Sequence, residues 1–110
     1  LNPQPNGPDE QPIRIIVVHA MPFLKYPELR AAGRAVVRRY ADHMSKAGCQ
    51  VLEAPRLGKP AEEILKAAGQ HKADLIVTGA KGLGAIGRVL LGSVSTRVVQ
   101  HSRHSVLVVR

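Results

Sequence analysis

Apolar residues fall into seven blocks along the chain, separated by polar, proline-bearing or glycine-bearing stretches. Residues 13–20, IRIIVVHA, form a nearly unbroken run rich in β-branched side chains. Such a run predicts a strand covered on both faces, ended here by Met21 and Pro22. From Pro27 the spacing becomes helical, with Leu29, Ala32, Val36, Tyr40, Met44 and Ala47 recurring every three or four residues. The pattern predicts a helix with that stripe inward. Pro27 suits its first turn, where the missing N–H costs nothing, and Gly48 suits a left-handed stop. CQVLEAP (49–55) predicts a short strand stopped by Pro55. A second helix opens near Pro60 with Ala61, Ile64, Leu65 and Ala68 inward and Gly69 near its end. ADLIVTG (73–79) predicts a third strand, Ser93 to about His101 a third helix, and HSVLVVR (104–110) a last strand.

Strands alternating with helices in the order β-α-β-α-β-α-β predict an α/β fold, an open, mostly parallel, doubly wound sheet. Ligands in such sheets bind outside the carboxyl ends of the strands, where the strand order reverses. Residues 1–12 carry four prolines, a glycine and no apolar run, so they predict a flexible tail or linker before a domain spanning 13–110.

At 110 residues the chain is one domain, and its 45% hydrophobic content can form a core. No apolar run approaches the ~20 residues of a membrane span, so no membrane association is expected. The single cysteine, Cys49, excludes a disulfide framework. Aromatics are 3% with no tryptophan, which argues against a base-stacking platform for single-stranded nucleic acid. Net charge is +8. Asp9 and Glu10 lie in the tail, so the domain sets 16 basic groups against 6 acidic ones. That balance attracts polyanions such as nucleotides. Arg30, Arg34, Arg38 and Arg39 make a basic helix surface, for which a solvated face is the simpler reading than a nucleic-acid contact.

The candidate chemistry lies in TGAKGLGAIGRVLLGSVS (78–95). No stretch has the four-residue spacing and terminal Lys-Ser/Thr of a P-loop. Gly82, Gly84 and Gly87 match G-x-G-x-x-G, but nothing after Asp74 is acidic, so the ribose-binding acid of a dinucleotide site has no counterpart. The remaining pattern is Gly79-x2-Gly82-x9-Gly92-Ser93. Gly79 and Gly82 lack a Cβ, so their backbone amides can approach an anion closely. Gly92-Ser93 stands just before a helix start, where free N–H groups and the helix dipole favour a phosphate. Ser93 can equally serve as a helix N-cap. Lys81 and Arg88 are further phosphate partners or solvated surface.

This loop resembles the nucleotide loop of the universal stress protein family, whose spacing is G-x2-G-x9-G-[ST]. ADLIVTGAKG, LLGSVSTRVVQHS and SVLVVR resemble the family's fourth strand, following helix and last strand. IIVVHA and GKPAEEIL resemble its second strand and the entrance to its third helix. The resemblance implies ATP as ligand, with or without Mg²⁺ on its phosphates. Gly79, Gly82, Gly92, Ser93 and the backbone of Val94 would hold triphosphate and ribose, and the backbone of Ala20 would contact adenine. It also implies a cytoplasmic regulatory or stress-response module, pairing as a homodimer through its last strand, where VLVV (106–109) is suitably apolar. No catalytic residues are expected, and any ATP turnover would be slow, because no general base stands near the loop. The alternative is a domain of the same fold that has lost its ligand and acts through dimerisation or partner binding.

Members of the family open with a strand and helix that have no counterpart in this sequence, and that strand is central in their sheet. The strands at 13–19 and 74–79 would then flank an empty slot. Upstream polypeptide, another chain, or direct pairing of the two strands could close it; the first is expected, since the chain starts at Leu1 rather than at methionine. Elsewhere, His101 and His104 have no third ligand in view and read as solvated or capping groups. Cys49 reads as an inert thiol, and Glu62 and Glu63 as dipole partners in a first helical turn.

Overall fold

A computed structural model describes residues 13–21, 27–80 and 91–110. The elements are β1 (Arg14–Met21), α1 (Pro27–Lys46), β2 (Gln50–Leu57), α2 (Pro60–Gln70), β3 (Leu75–Gly79), α3 (Ser93–His101) and β4 (Ser105–Val109). Every element lies where the apolar pattern places it. β2 runs two residues past Pro55, which pairs in register with His19. A strand interior tolerates proline when one edge is free of partners, and among the described residues β2 is paired only with β1.

β1 pairs parallel with β2, and β3 pairs parallel with β4. Among the described residues these are two separate two-stranded sheets. Direct pairing of β1 with β3, one of the three ways to close the slot, does not occur.

The helices divide between two faces. Arg38 of α1 lies 3.8 Å from Glu53, and the Arg56 guanidinium donates a hydrogen bond to the Gln70 side chain at the end of α2. Glu53 and Arg56 are three apart on one strand, so they point to opposite sides. α1 therefore covers one face of β1–β2 and α2 the other. On the α2 side, Ala61 and Ala68 of α2, Ile76 of β3 and Val98 of α3 form the main core cluster, with Ile64, Leu65, Val94 and Val106 packed around it. α2 and α3 thus share one face of β3–β4, and α2 bridges the two sheets.

The inward stripe of α1 differs from the sequence expectation. Gly33, Val37 and Ala41 are buried, whereas Leu29 and Tyr40 are half exposed and Ala32 and Ala47 are exposed. Gly33, Val37 and Ala41 form a ridge of small side chains at i, i+4, i+8, which lets the helix sit close to the sheet. The larger Leu29–Tyr40 stripe is turned by nearly a quarter of the helix circumference, which spacing alone does not distinguish.

Candidate functional site

The chain goes from β1 outward to β2, returns across α2 to β3, and moves outward again to β4. The order reverses between β1 and β3, so the carboxyl ends of these two strands form the crevice in which α/β sheets bind ligands. Ala20 stands near the carboxyl end of β1, half-buried and in register with Arg56. Gly79 ends β3 opposite Val109.

The polypeptide leaves β3 and returns to α3 through a closed neck. The Ala80 amide donates to the Val109 carbonyl at 2.7 Å, and the Ala80 carbonyl accepts from the Gly92 amide at 2.6 Å. The Ser95 hydroxyl, in a residue only 4% exposed, donates to the Gly79 carbonyl. Thr96 closes the helical side, its amide and hydroxyl both donating to the Gly92 carbonyl at 2.9 and 2.8 Å. Residues 79–80 and 92–96 are thereby held together by hydrogen bonds. Gly82, Lys81 and Arg88 lie outside the described residues.

α3 begins without a side-chain cap. Its N-cap is Gly92, in extended backbone (φ −68, ψ 164), and no side-chain cap hydrogen bond is made. Ser93 is therefore the first helical residue rather than the cap, and it is exposed. The amides of Ser93, Val94 and Ser95 belong to the first turn, which has no intrahelical acceptors to offer them. They and the dipole's positive end suit an anion. No acidic side chain sits in that turn. Gly92 acts differently from its neighbours, since its own amide is spent on Ala80; it shapes the turn while Ser93, Val94 and Ser95 present donors. The Val94 side chain packs on the core, which fixes the position of its amide.

The structure thus assembles Gly79, Gly92, Ser93 and Val94 at one neck, while Ala20 lies near the carboxyl end of β1. It adds Ser95, which the sequence reading passed over.

Elsewhere the described residues hold no group of three His, Cys, Asp or Glu side chains that could bind a metal. His104 is tied through its backbone to the Ser102 hydroxyl, a turn rather than a ligand set. Cys49 is a half-buried free thiol. A cleft of about 470 Å³ lies at the opposite, amino ends of β1 and β2, beside Gln70, His71 and Lys72; it is remote from the strand ends where the reversal occurs. No helix among the described residues is long and apolar enough to cross a membrane.

Comparison with known proteins agrees with this architecture. The family model described as the universal stress protein family matches residues 9–110. A universal stress protein of Thermus aquaticus is 43% identical over 107 residues, covering 88% of this chain and 77% of the relative. Among solved structures, a hypothetical protein whose biochemical function was assigned from its structure superposes with a TM-score of 0.83 at 26% identity, covering 90% of this chain and 76% of that one. A universal stress protein solved in complex with cAMP superposes with a TM-score of 0.68 at 34% identity, covering 88% and 73%.

Proposed function

The chain belongs to the universal stress protein family, and we propose that it serves within that family as an adenine-nucleotide-binding regulatory module, with ATP as the ligand the loop spacing favours. The observation that carries this reading is the uncapped start of α3, held against the end of β3 by the Ala80–Gly92 and Ser95–Gly79 hydrogen bonds. A cluster of oriented amides without intrahelical acceptors, in a basic protein, suits a phosphate. The complex of a similar protein with cAMP supports an adenine nucleotide as the ligand class.

In this reading the phosphates sit over Ser93, Val94 and Ser95, with Gly79 and Gly82 allowing close approach of the loop backbone. The base lies toward Ala20 on β1. A Mg²⁺ ion, if used, rides on the phosphates, where it offsets their charge. The domain acts by binding, so its output is a change of state on nucleotide occupancy rather than turnover. It works in the cytoplasm as a homodimer joined through β4.

The test is a thermal melt with ATP. At a hundredfold excess over Kd, binding to the native state contributes about 2.7 kcal/mol, which for a chain of this size raises Tm by about 10 °C. Gly82→Val should abolish that rise with little change in the ligand-free Tm, because the added side chain blocks backbone approach to the phosphates. An equal rise in the variant refutes the loop as the binding element. No response in either protein favours the ligand-free, partner-binding reading of the fold.

A further inference from the structure

We propose that the cleft at the amino ends of β1 and β2 is a second binding site, for a medium-chain carboxylate whose acyl chain lies on Ile16 and Leu52 and whose head group meets Arg14 and Lys72. The site stands at the opposite end of the strands from the nucleotide crevice and does not depend on it. Strand alternation fixes its floor. Arg56 donates to Gln70 of α2, so the even-numbered residues of β2 face α2. Leu52 lies on that face with Ile16 beside it in register, and Gln50 with Arg14 one step nearer the amino end. Ala54 is 8% exposed, whereas Leu52, two residues earlier on the same face, is 50% exposed. Cover by α2 therefore ends between them, and an apolar floor is left open in a cleft of about 470 Å³. Small-molecule sites run from roughly 300 to 1,000 Å³ and combine such a floor with a few converging polar groups.

The polar groups around that floor are set up to donate. Among the described residues no Asp or Glu lines the cleft, and Arg14 and Lys72 have no carboxylate partner. An arginine can only donate, so the Gln70 oxygen faces Arg56 and its NH₂ group is left as a further donor. Two cations and an amide donor suit a carboxylate. Lys72 stands in an unusual place. Among the described residues it is the non-glycine residue with positive φ, at +50, just past the end of α2, where glycine is the ordinary choice. A cation near the negative end of a helix is favourable in itself. The last turn of α2 offers relaxed helical backbone for one, yet it holds no basic residue. The chain instead places its cation at a left-handed position on the cleft wall. Neither the helix stop nor the dipole requires that arrangement; an anionic ligand in the cleft accounts for it.

The experiment titrates octanoate into the full chain without nucleotide and follows amide and methyl NMR shifts, with octanol and inorganic phosphate titrated in parallel. The expected result is saturable shifts at Ile16, Leu52 and Lys72 with octanoate, about tenfold weaker binding of octanol, and no matching shifts with phosphate. Lys72→Gly relieves the left-handed backbone, so it should leave Tm unchanged or raised while weakening octanoate about tenfold. Arg14→Gln, on an exposed side chain, should weaken it to a similar degree. Four results would each overturn the proposal. They are equal affinity for octanol, the same shifts with phosphate alone, octanoate shifts centred instead on Val77 and Leu107, which are exposed on the other sheet, and unchanged octanoate affinity in either variant.

Discussion

Ser95→Ala tests the neck that joins strand, loop and helix. The hydroxyl is buried and donates to the Gly79 carbonyl. Its removal deletes one buried hydrogen bond and leaves that carbonyl dependent on the Thr78 hydroxyl, 3.4 Å away, a contact too long to compensate. The net loss is about 1–2 kcal/mol. The methyl side chain of alanine fits the same space, so no cavity cost is added. At roughly 4–6 °C per kcal/mol for a domain of this size, Tm should fall by about 5–10 °C. A structural bond elsewhere would lower stability alone. Here the bond also sets the distance between Gly79 and the α3 amides, so ATP affinity measured by calorimetry should weaken several-fold at a temperature where the variant is fully folded. A Tm within 1 °C of the parent would refute the bond as a tether. A normal fall in Tm with unchanged affinity would refute its part in shaping the cradle.

Two further substitutions test the packing. Val37→Ala should cost about 2 kcal/mol, the transfer of two methyl groups plus a residual cavity, because Val37 is 1% exposed. Tyr40→Ala in the same chain should cost less than about 1 kcal/mol; urea unfolding midpoints that reverse this order would restore the Leu29–Tyr40 stripe as the inward face. Gly58 has φ +146 and a built Cβ would meet the Glu63 side chain at 3.0 Å, so Gly58→Ala should lower stability by about 1–2 kcal/mol in the same assay.

The elements were legible in the sequence because runs and helical repeats differ in period and because Pro27, Pro60 and Gly48 punctuate them. The parallel pairing followed from alternation alone. What periodicity could not resolve was the rotation of α1. Val36 and Val37 are adjacent, and the choice between their stripes is made by how closely Gly33 and Ala41 let the helix approach the sheet. The position of the loop was legible from its glycines and from the strand before it. The clamp was not, since Ser95 and Thr96 act through hydrogen bonds to carbonyls 16 and 4 residues earlier, and a hydroxyl shows no such partner in sequence. The N-cap shifted from Ser93 to Gly92 for a related reason. The Gly92 carbonyl takes both donors of Thr96 and starts the helix, which frees Ser93 to face outward.

The central claim is that the first turn of α3 holds a nucleotide by its phosphates. Amide NMR shifts of Ser93, Val94 and Ser95, followed while AMP and adenosine are titrated in parallel, test it most directly. Saturable shifts at these three amides with AMP, much smaller with adenosine, are the predicted result. Shifts that are the same for both compounds, or that leave these amides unmoved while AMP binds, would contradict it.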